Sequence, residues 1–250
     1  MTMDKRHENQ VIIVTGGAQG IGLKISQHLE SLGATVIIAD INLGAAQAAI
    51  ELLPTKNGMA VHCDVTSAQS TLDMAKEVYA KYGKIDVLVN NAGYFPVSLF
   101  EDMSEKEWRK VIDIDLTGTF LATQAVYNYM LKKKKGKIIN IASVSGRVGG
   151  VGFTHYSAAK AGVIGFTKAL AKEAGALGIQ VNAIAPGIID TETTKSVFPE
   201  FALKEYVKSV PLGRLGHDED LVAAISFLCS PGASYITGQC LAIDGGYTMI

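Results

Sequence analysis

The stretch Val11-Ile12-Ile13-Val14-Thr15-Gly16-Gly17-Ala18-Gln19-Gly20-Ile21-Gly22 decides how the rest of the chain is read. Five consecutive β-branched residues make a short strand, and the glycines that follow lead into a helix-like stretch through Leu29. A strand that is apolar throughout, with no polar alternation, is covered on both faces, as parallel strands are. The glycines let the backbone turn tightly, approach a pyrophosphate and pack helix against strand, while the helix N-terminus stabilises phosphate charge. Gly16, Gly20 and Gly22, with Gln19 and Ile21 between them, are spaced G-x-x-x-G-x-G rather than G-x-G-x-x-G. Such a turn alone is weak evidence, because a purely structural role is the alternative.

Outward from the turn, short apolar runs alternate with longer helix-like stretches: Val11 to Thr15, Thr35 to Ala39, Met59 to Cys63, Asp86 to Val89, Lys137 to Ala142 and Ile179 to Ile184. This βαβ rhythm predicts an α/β fold, a Rossmann-like doubly wound parallel sheet with helices on both faces. Cys240 to Ile243, after a helix across Asp218 to Cys229, is read as a seventh strand. No repeat, linker or composition shift divides the 250 residues, so one domain over 1–250 is expected to combine nucleotide binding and catalysis. Residues 1–8 are expected to be flexible. Residues 190–211 hold Pro199, Pro211 and apolar positions without a strand pattern, and are expected to form a mobile substrate lid with a short helix.

At 48% hydrophobic and 19% charged the chain can fill a large core, and 23 Lys+Arg against 24 Asp+Glu leave a formal net charge of −1, which argues against general nucleic-acid binding. No apolar run reaches the roughly 18 residues of a membrane span, and MTMDKRHENQ offers no apolar stretch for a signal peptide. A soluble, cytoplasmic protein with no membrane partner is expected. Cys63, Cys229 and Cys240 lie far apart and form no CxxC pair, so neither a disulfide framework nor a metal site is indicated. The lysines Lys132 to Lys135 with Lys137 follow a helical stretch beginning near Glu105 and flank a Gly136 stop, and they read as a solvated helix end.

Asp40 stands eighteen residues past Gly22, directly after the second strand. A carboxylate there can accept hydrogen bonds from ribose hydroxyls and repels a 2′-phosphate. No cation stands at Gln19, Ile41 or Asn42 to bind such a phosphate, so NAD is favoured over NADP. Tyr156 and Lys160 lie four apart at the start of a predicted helix and point from one face. Tyr129 and Lys133 repeat that spacing, but Ser143, after the strand Lys137 to Ala142, singles out the later pair. An ordinary phenol, with a pKa of roughly 10, is a poor base at neutral pH, and a nearby ammonium favours the phenolate. Lowering it to about 7 asks on the order of 4 kcal/mol from Lys160 and a cationic nicotinamide together. Ser143 would then hold the substrate oxygen while Tyr156 exchanges its proton.

With these motifs in order, the chain resembles the short-chain dehydrogenase/reductase family, in its compact one-domain branch, over residues 9 to 248. The resemblance places Asn90-Asn91-Ala92-Gly93 after the fourth strand, Asp64 with Val65 at the adenine, and Pro186-Gly187 with Ile188 and Thr191 at the nicotinamide carboxamide. It further implies the sheet order 3-2-1-4-5-6-7, a cofactor site including Asn91, Ala92, Gly93, Tyr156 and Lys160, and a homotetramer. The apolar and small residues along Thr154 to Ala174 agree with a helix that meets another subunit. Asp115 departs from the pattern, because the family usually carries asparagine there and none occurs between Gly93 and Tyr127. Two arrangements are open: Asp115 pairs with Lys160 and shifts the pH optimum, or its carboxylate turns away.

Substrate-facing positions are expected at Tyr94, Phe95 and Pro96; at Ser145, Val148, Val151 and Phe153; and in the lid at Val197, Phe198, Phe201 and Tyr206. Lid packing or a subunit interface would use the same aromatics. Arg147 is the one candidate to grip an anion, if its loop turns inward, and His155 reads as packed rather than as an acid or base. The expected activity is hydride transfer between NAD(H) and an apolar or aryl secondary alcohol or its ketone. A 3-oxoacyl-thioester reductase of the acyl carrier protein type shares every motif, although Asp40 tells against it because biosynthetic reduction commonly runs on NADPH. A non-catalytic NAD(H)-binding scaffold is the reading from a different class.

Overall fold

The computed structural model describes residues 6–249. In chain order it forms β1 (Val11–Thr15), α1 (Gly20–Ser31), β2 (Thr35–Asp40), α2 (Leu43–Glu51), β3 (Gly58–His62), α3 (Ala68–Tyr82) and β4 (Val87–Asn90). The second half follows as α4 (Glu105–Ile112), a π turn (Asp113–Thr117), α5 (Gly118–Lys133), β5 (Gly136–Ile141), the short α6 (Ser145–Val148) and α7 (Thr154–Ala174). It ends with β6 (Ile179–Pro186), α8 (Glu192–Val197), α9 (Glu200–Ser209), α10 (Asp218–Cys229) and β7 (Cys240–Ile243). All seven strands are parallel, in the order β3-β2-β1-β4-β5-β6-β7 expected from the resemblance.

The alternation of side chains along each strand divides the core in two. Val11 and Ile13 of β1 face α3, α5 and α7 through Met74, Val78, Val126, Met130 and Ala171. Ile12 and Val14 face α1, α2 and α10 through Ile25, Leu29, Ala46, Leu221 and Ile225. A strand needs apolar residues at every position only when both faces are covered, which is why the first run reads without polar alternation. The order reverses between β1 and β4, and the crevice outside the strand ends at such a reversal is where ligands bind in open α/β sheets. No helix among the described residues is long and apolar enough to cross a membrane.

Several local expectations are corrected. Of the stretch read as flexible, residues 1–5 lie outside the described residues, and His7 is buried, bonded to Gln10 and to Ser226 of α10. The stretch from Glu105 is not one α-helix but two, joined by the π turn. Helix α5 is stopped by Lys134, in the left-handed region at φ 49, whereas Gly136 already begins β5, where a Cβ would lie 2.5 Å from the Met130 sulfur. Lys137 belongs to β5, with its amine buried and its pKa lowered by that burial, so it is no part of a solvated helix end. The span 190–211 carries two helices, α8 and α9, rather than one.

A buried polar chain ties the central strands to the helices above them. The Asn90 amide donates to Thr123 Oγ1 and to Asn140 Oδ1, each at 2.9 Å, and the Asn140 amide donates to Thr167 Oγ1 at 2.9 Å. Removing one member strands the others without partners, at a cost of about 1–3 kcal/mol. Asn140→Ala is expected to lower the urea midpoint accordingly. An unchanged midpoint would show that the chain contributes no stability.

Candidate active site

The glycine turn is built by close backbone approach. Gly16 has φ 61, and a Cβ there would sit 2.9 Å from Ala92 Cα, while a Cβ on Gly22 would sit 2.1 Å from the Gly16 carbonyl oxygen. The Asn91 amide braces this turn from β4, donating to the carbonyls of Thr15 and Gly16 at 3.0 Å each. Thr15 Oγ1 in turn accepts the N–H groups of Asn91 and Ala92 at 3.1 and 3.2 Å. Sequence reading passed over Thr15, because nothing about a threonine at a strand end marks it as a clamp. At the next strand ends, Asp40 accepts the N–H groups of Ala18 and Asn42, and Asp64 accepts Thr66 N–H and Oγ1–H.

These groups open onto a cavity of about 1350 Å³. It runs from Gly16, Gln19, Gly20, Ile21, Gly22, Asp40, Asp64 and Val65, past Asn91, Ala92 and Gly93, to Ser143, Tyr156 and Lys160. Pro186, Gly187, Ile188 and Thr191 line its far side. A Cβ on Gly20 would meet nothing within 4 Å, so the N-terminus of α1 faces open space. Its unpaired N–H groups suit a phosphate there. Cys63 also lines the cavity, but burial, with Asp64 and Asp40 adding to it, pushes its thiol up to about 12. Among the described residues no group of three or more His, Cys, Asp or Glu side chains is arranged to hold a metal ion.

At the floor, the π turn delivers Asp115 inward, and Gly162 of α7 leaves room for it: a Cβ at Gly162 would lie 2.8 Å from Leu116. Such turns recur at functional sites because the extra residue re-aims side chains. Asp115 is fully buried, and its Oδ1 lies 3.1 Å from Lys160 Nζ. The contact is a buried ion pair at short range, in which the ammonium also supports the carboxylate by hydrogen bonding. Oδ2 accepts the Tyr94 N–H at 3.0 Å, and Lys160 donates to the Ile141 carbonyl at 2.8 Å. Of the two arrangements open from sequence, Asp115 therefore adopts the inward one. The Ile141 carbonyl had no signal in the sequence, being backbone.

Burial pushes the Asp115 carboxyl above its ordinary range, outweighing Lys160 and the Tyr94 N–H, which pull it down. Burial alone would lower Lys160, but Asp115 and then Tyr156 overcome it and hold the ammonium above its usual value. So buried a cation needs a counter-charge, and Asp115 is the carboxylate beside it. Tyr156 is also raised: burial is the main cause and Asp115 adds to it, while Lys160 and the Ser143 hydroxyl work to lower it. Lys160 thus favours the phenolate, as expected, but in the protein alone burial outweighs it, with Asp115 adding to the burial effect.

The walls are aromatic. Ring centroids of Phe95 and Phe153 lie 5.9 and 6.1 Å from that of Tyr156, and Phe198 at the end of α8 lies 5.5 Å from Phe153. Tyr94, Ser145 and Val151 complete this part of the lining, with Val151 88% exposed at the rim. Pro96, Val148, Val197 and Phe201 are not among the lining residues, and Phe201 points to solvent at 72% exposure. Tyr206 also lines the cavity; its hydroxyl oxygen accepts the Ile188 N–H at 3.1 Å and its ring packs at a tilt against Tyr247, centroids 4.8 Å apart, which fastens α9 to the turn after β6. Arg147 does not turn inward, since its guanidinium donates to the Cys240 carbonyl. His155 is buried with Nδ1 accepting the Tyr156 N–H at 2.8 Å, a packed residue as expected.

Comparison with known proteins places this geometry among relatives. The profile of a family described as Enoyl-(Acyl carrier protein) reductase matches residues 16–248. The 3-oxoacyl-(acyl-carrier-protein) reductase FabG of Chlamydia trachomatis serovar D is 46% identical over 241 residues, covering 95% of this chain and 97% of the relative. The enzyme of the same name from Thermotoga maritima is 44% identical over 244 residues, covering 96% and 98%. Among solved structures, gox2181 superposes with a TM-score of 0.94 at 37% identity, covering 99% of each chain. A putative short-chain alcohol dehydrogenase from Sinorhizobium meliloti 1021 does so with 0.92 at 32% identity, covering 96% of each.

Because a methyl group at Gly22 would collide with rigid backbone rather than a flexible side chain, Gly22→Ala is expected to weaken binding of NADH about tenfold or more and to lower the melting temperature. Titration of NADH fluorescence with the variant checks this. Unaltered binding would show that the turn does not carry the dinucleotide.

Proposed function

The chain belongs to the short-chain dehydrogenase/reductase family, and from that membership we propose an oxidoreductase that interconverts a ketone and a secondary alcohol with a nicotinamide dinucleotide. The observation that carries the reading is the meeting of Ser143, Tyr156 and Lys160 in one cavity with the glycine turn. The residues fit such a cofactor: side-chain-free glycines at the α1 N-terminus suit its phosphates, and the Asp40 carboxylate at the end of β2 suits ribose hydroxyls. Asp64 and Val65 would hold the adenine, and Asn91 to Gly93 with Pro186, Gly187, Ile188 and Thr191 the nicotinamide end. When bound, the nicotinamide supplies hydride for reduction and accepts it for oxidation.

In reduction, Tyr156 gives its phenolic proton to the carbonyl oxygen as the carbon becomes an alcohol, and it takes that proton back in oxidation. The Ser143 hydroxyl donates a hydrogen bond to the same oxygen and fixes it against the phenol. Lys160 stabilises the phenolate left behind, and the rings of Phe95, Phe153 and Phe198 keep water from the reacting carbon. Replacing Tyr156 by Phe is expected to cut turnover at least about 100-fold while NADH binding persists. A wild type silent on every carbonyl tested, yet binding NADH, would favour the scaffold reading.

For the substrate, the named relatives support a 3-oxoacyl thioester. A second reading, an apolar or aryl ketone, is favoured by one observation, the cluster of aromatic rings packed beside the Tyr156 ring. Acetoacetyl thioesters assayed beside aryl ketones decide between them, since the true class should show at least about tenfold higher kcat/KM, or 1.4 kcal/mol. NAD(H) is proposed over NADP(H) because Asp40 would face a 2′-phosphate with like charge. A preference for NADH of about tenfold that collapses in Asp40→Ala supports this, and a native preference for NADPH refutes it. The proposed assembly is a homotetramer, supported by exposed apolar side chains such as Phe100, Phe227, Tyr235 and Met249. Light scattering at micromolar concentration should report it, and a monomer would contradict it.

A further inference from the structure

Three side chains make one electrostatic unit at the floor of the cavity. Lys160 Nζ lies 5.5 Å from the centre of the Tyr156 ring, and Asp115 Oδ1 lies 3.1 Å from the same nitrogen. Lys160 is 5% exposed at its side chain and Asp115 not at all, so water screens neither charge from its neighbours. Gly93 has no side chain where a Cβ would sit 2.8 Å from Asp115 Oδ1 and 3.7 Å from Lys160 Nζ, and the pair occupies that space. The other carboxylate oxygen is held by the Tyr94 N–H. The carboxylate is therefore held from both sides and cannot swing away from the lysine without losing the Tyr94 N–H as well.

We propose that Asp115 is a positioning residue that keeps Lys160 in an ion pair, so that Tyr156 faces a compensated charge rather than a lone ammonium, and that this sets the pH at which Tyr156 gives up its proton. The other groups around the phenol do not take over this role. On its own helix the near neighbours are Lys160 and His155, and burial lowers the His155 pKa against the opposing pull of Glu107 and Asp115, which disfavours the imidazolium. From α4, Glu107 acts on His155, and from the loop after β5 the neutral Ser143 hydroxyl reaches the phenol. The uncharged rings of Phe95 and Phe153 pack near the phenol, and the charged Glu105, Lys106, Arg109, Lys110 and Asp113 line the same cavity without figuring among the causes that shift Tyr156.

The sign follows from the charges. A negative carboxylate near the phenol disfavours a second negative charge, so Tyr156 holds its proton to higher pH. Protonated Tyr156 is the form that serves carbonyl reduction, and phenolate is the form that serves alcohol oxidation. Reduction should therefore keep its full rate further into the alkaline range, and oxidation should set in later, than with a neutral residue at 115. Asp115→Asn, which preserves shape and removes the charge, moves both limbs to lower pH.

The test needs no substrate. Ultraviolet titration of tyrosinate is run on the free protein, with Tyr156→Phe subtracted to isolate one of the nine tyrosines. The wild-type phenol should titrate above the ordinary value of roughly 10. In Asp115→Asn, and in Asp115→Ser as a second variant, each with its own Tyr156→Phe reference, the midpoint should fall by about one pH unit or more. A wild-type midpoint at or below the ordinary value, or a midpoint unmoved or raised in a folded variant, overturns the proposal. The turnover arm rests on the proposed oxidoreductase reading: pH–rate profiles of reduction and oxidation should shift by the same amount. Absence of turnover would count against that reading alone, and the titration would still decide the role of Asp115.

Discussion

A lysine ammonium held almost wholly out of water, 3.1 Å from a buried carboxylate, is the constraint around which the catalytic half of this molecule is arranged. An unpaired charge so deep costs several kcal/mol, so the two groups must arrive together. Their arrival has structural requirements at four places. The π turn re-aims Asp115, Gly162 admits that turn against α7, Gly93 leaves the pair its space, and the end of β5 offers the Ile141 carbonyl to the lysine. Each belongs to a different segment of the chain, which is how one contact comes to fix the relation of β4, β5, the α4–α5 connection and α7.

Much of the architecture was legible because its causes are periodic. The unbroken apolar runs of β1, β2 and β4 have one physical explanation, burial on both faces, and the sheet shows it in the division of Val11 and Ile13 from Ile12 and Val14. Boundaries were less legible. Nothing local announces that Lys134 adopts the left-handed region or that Gly136 is needed for its neighbour Met130 rather than for a turn. The π turn was invisible for a related reason: the apolar spacing from Glu105 to Lys133 is close enough to helical that a one-residue insertion leaves no mark.

The site divides in the same way. Gly16, Gly22, Ser143, Tyr156 and Lys160 could be picked out because their chemistry needs those residue types, and they do line one cavity. What sequence could not supply was the balance of effects on Tyr156. Reading the lysine alone gives a lowered phenol, whereas burial and Asp115 together reverse the direction. Backbone partners, the Ile141 carbonyl and the Tyr94 N–H, carry no residue-type signal at all. The pocket aromatics were identified as a group, yet their directions were not: Phe201 points to solvent, while Tyr206 lines the cavity and also accepts the Ile188 N–H.

The tether from the Tyr206 hydroxyl to the Ile188 N–H has a mechanical consequence. With its ring also packed against Tyr247, α9 is riveted at its middle to the frame formed by the ends of β6 and β7. The neighbouring α8 is held separately, by the Lys195–Asp190 ion pair at its foot and by Phe198 packed against Phe153 just beyond its end. The chamber wall on this side is thereby tied to the sheet itself, and its position follows that of the strand ends.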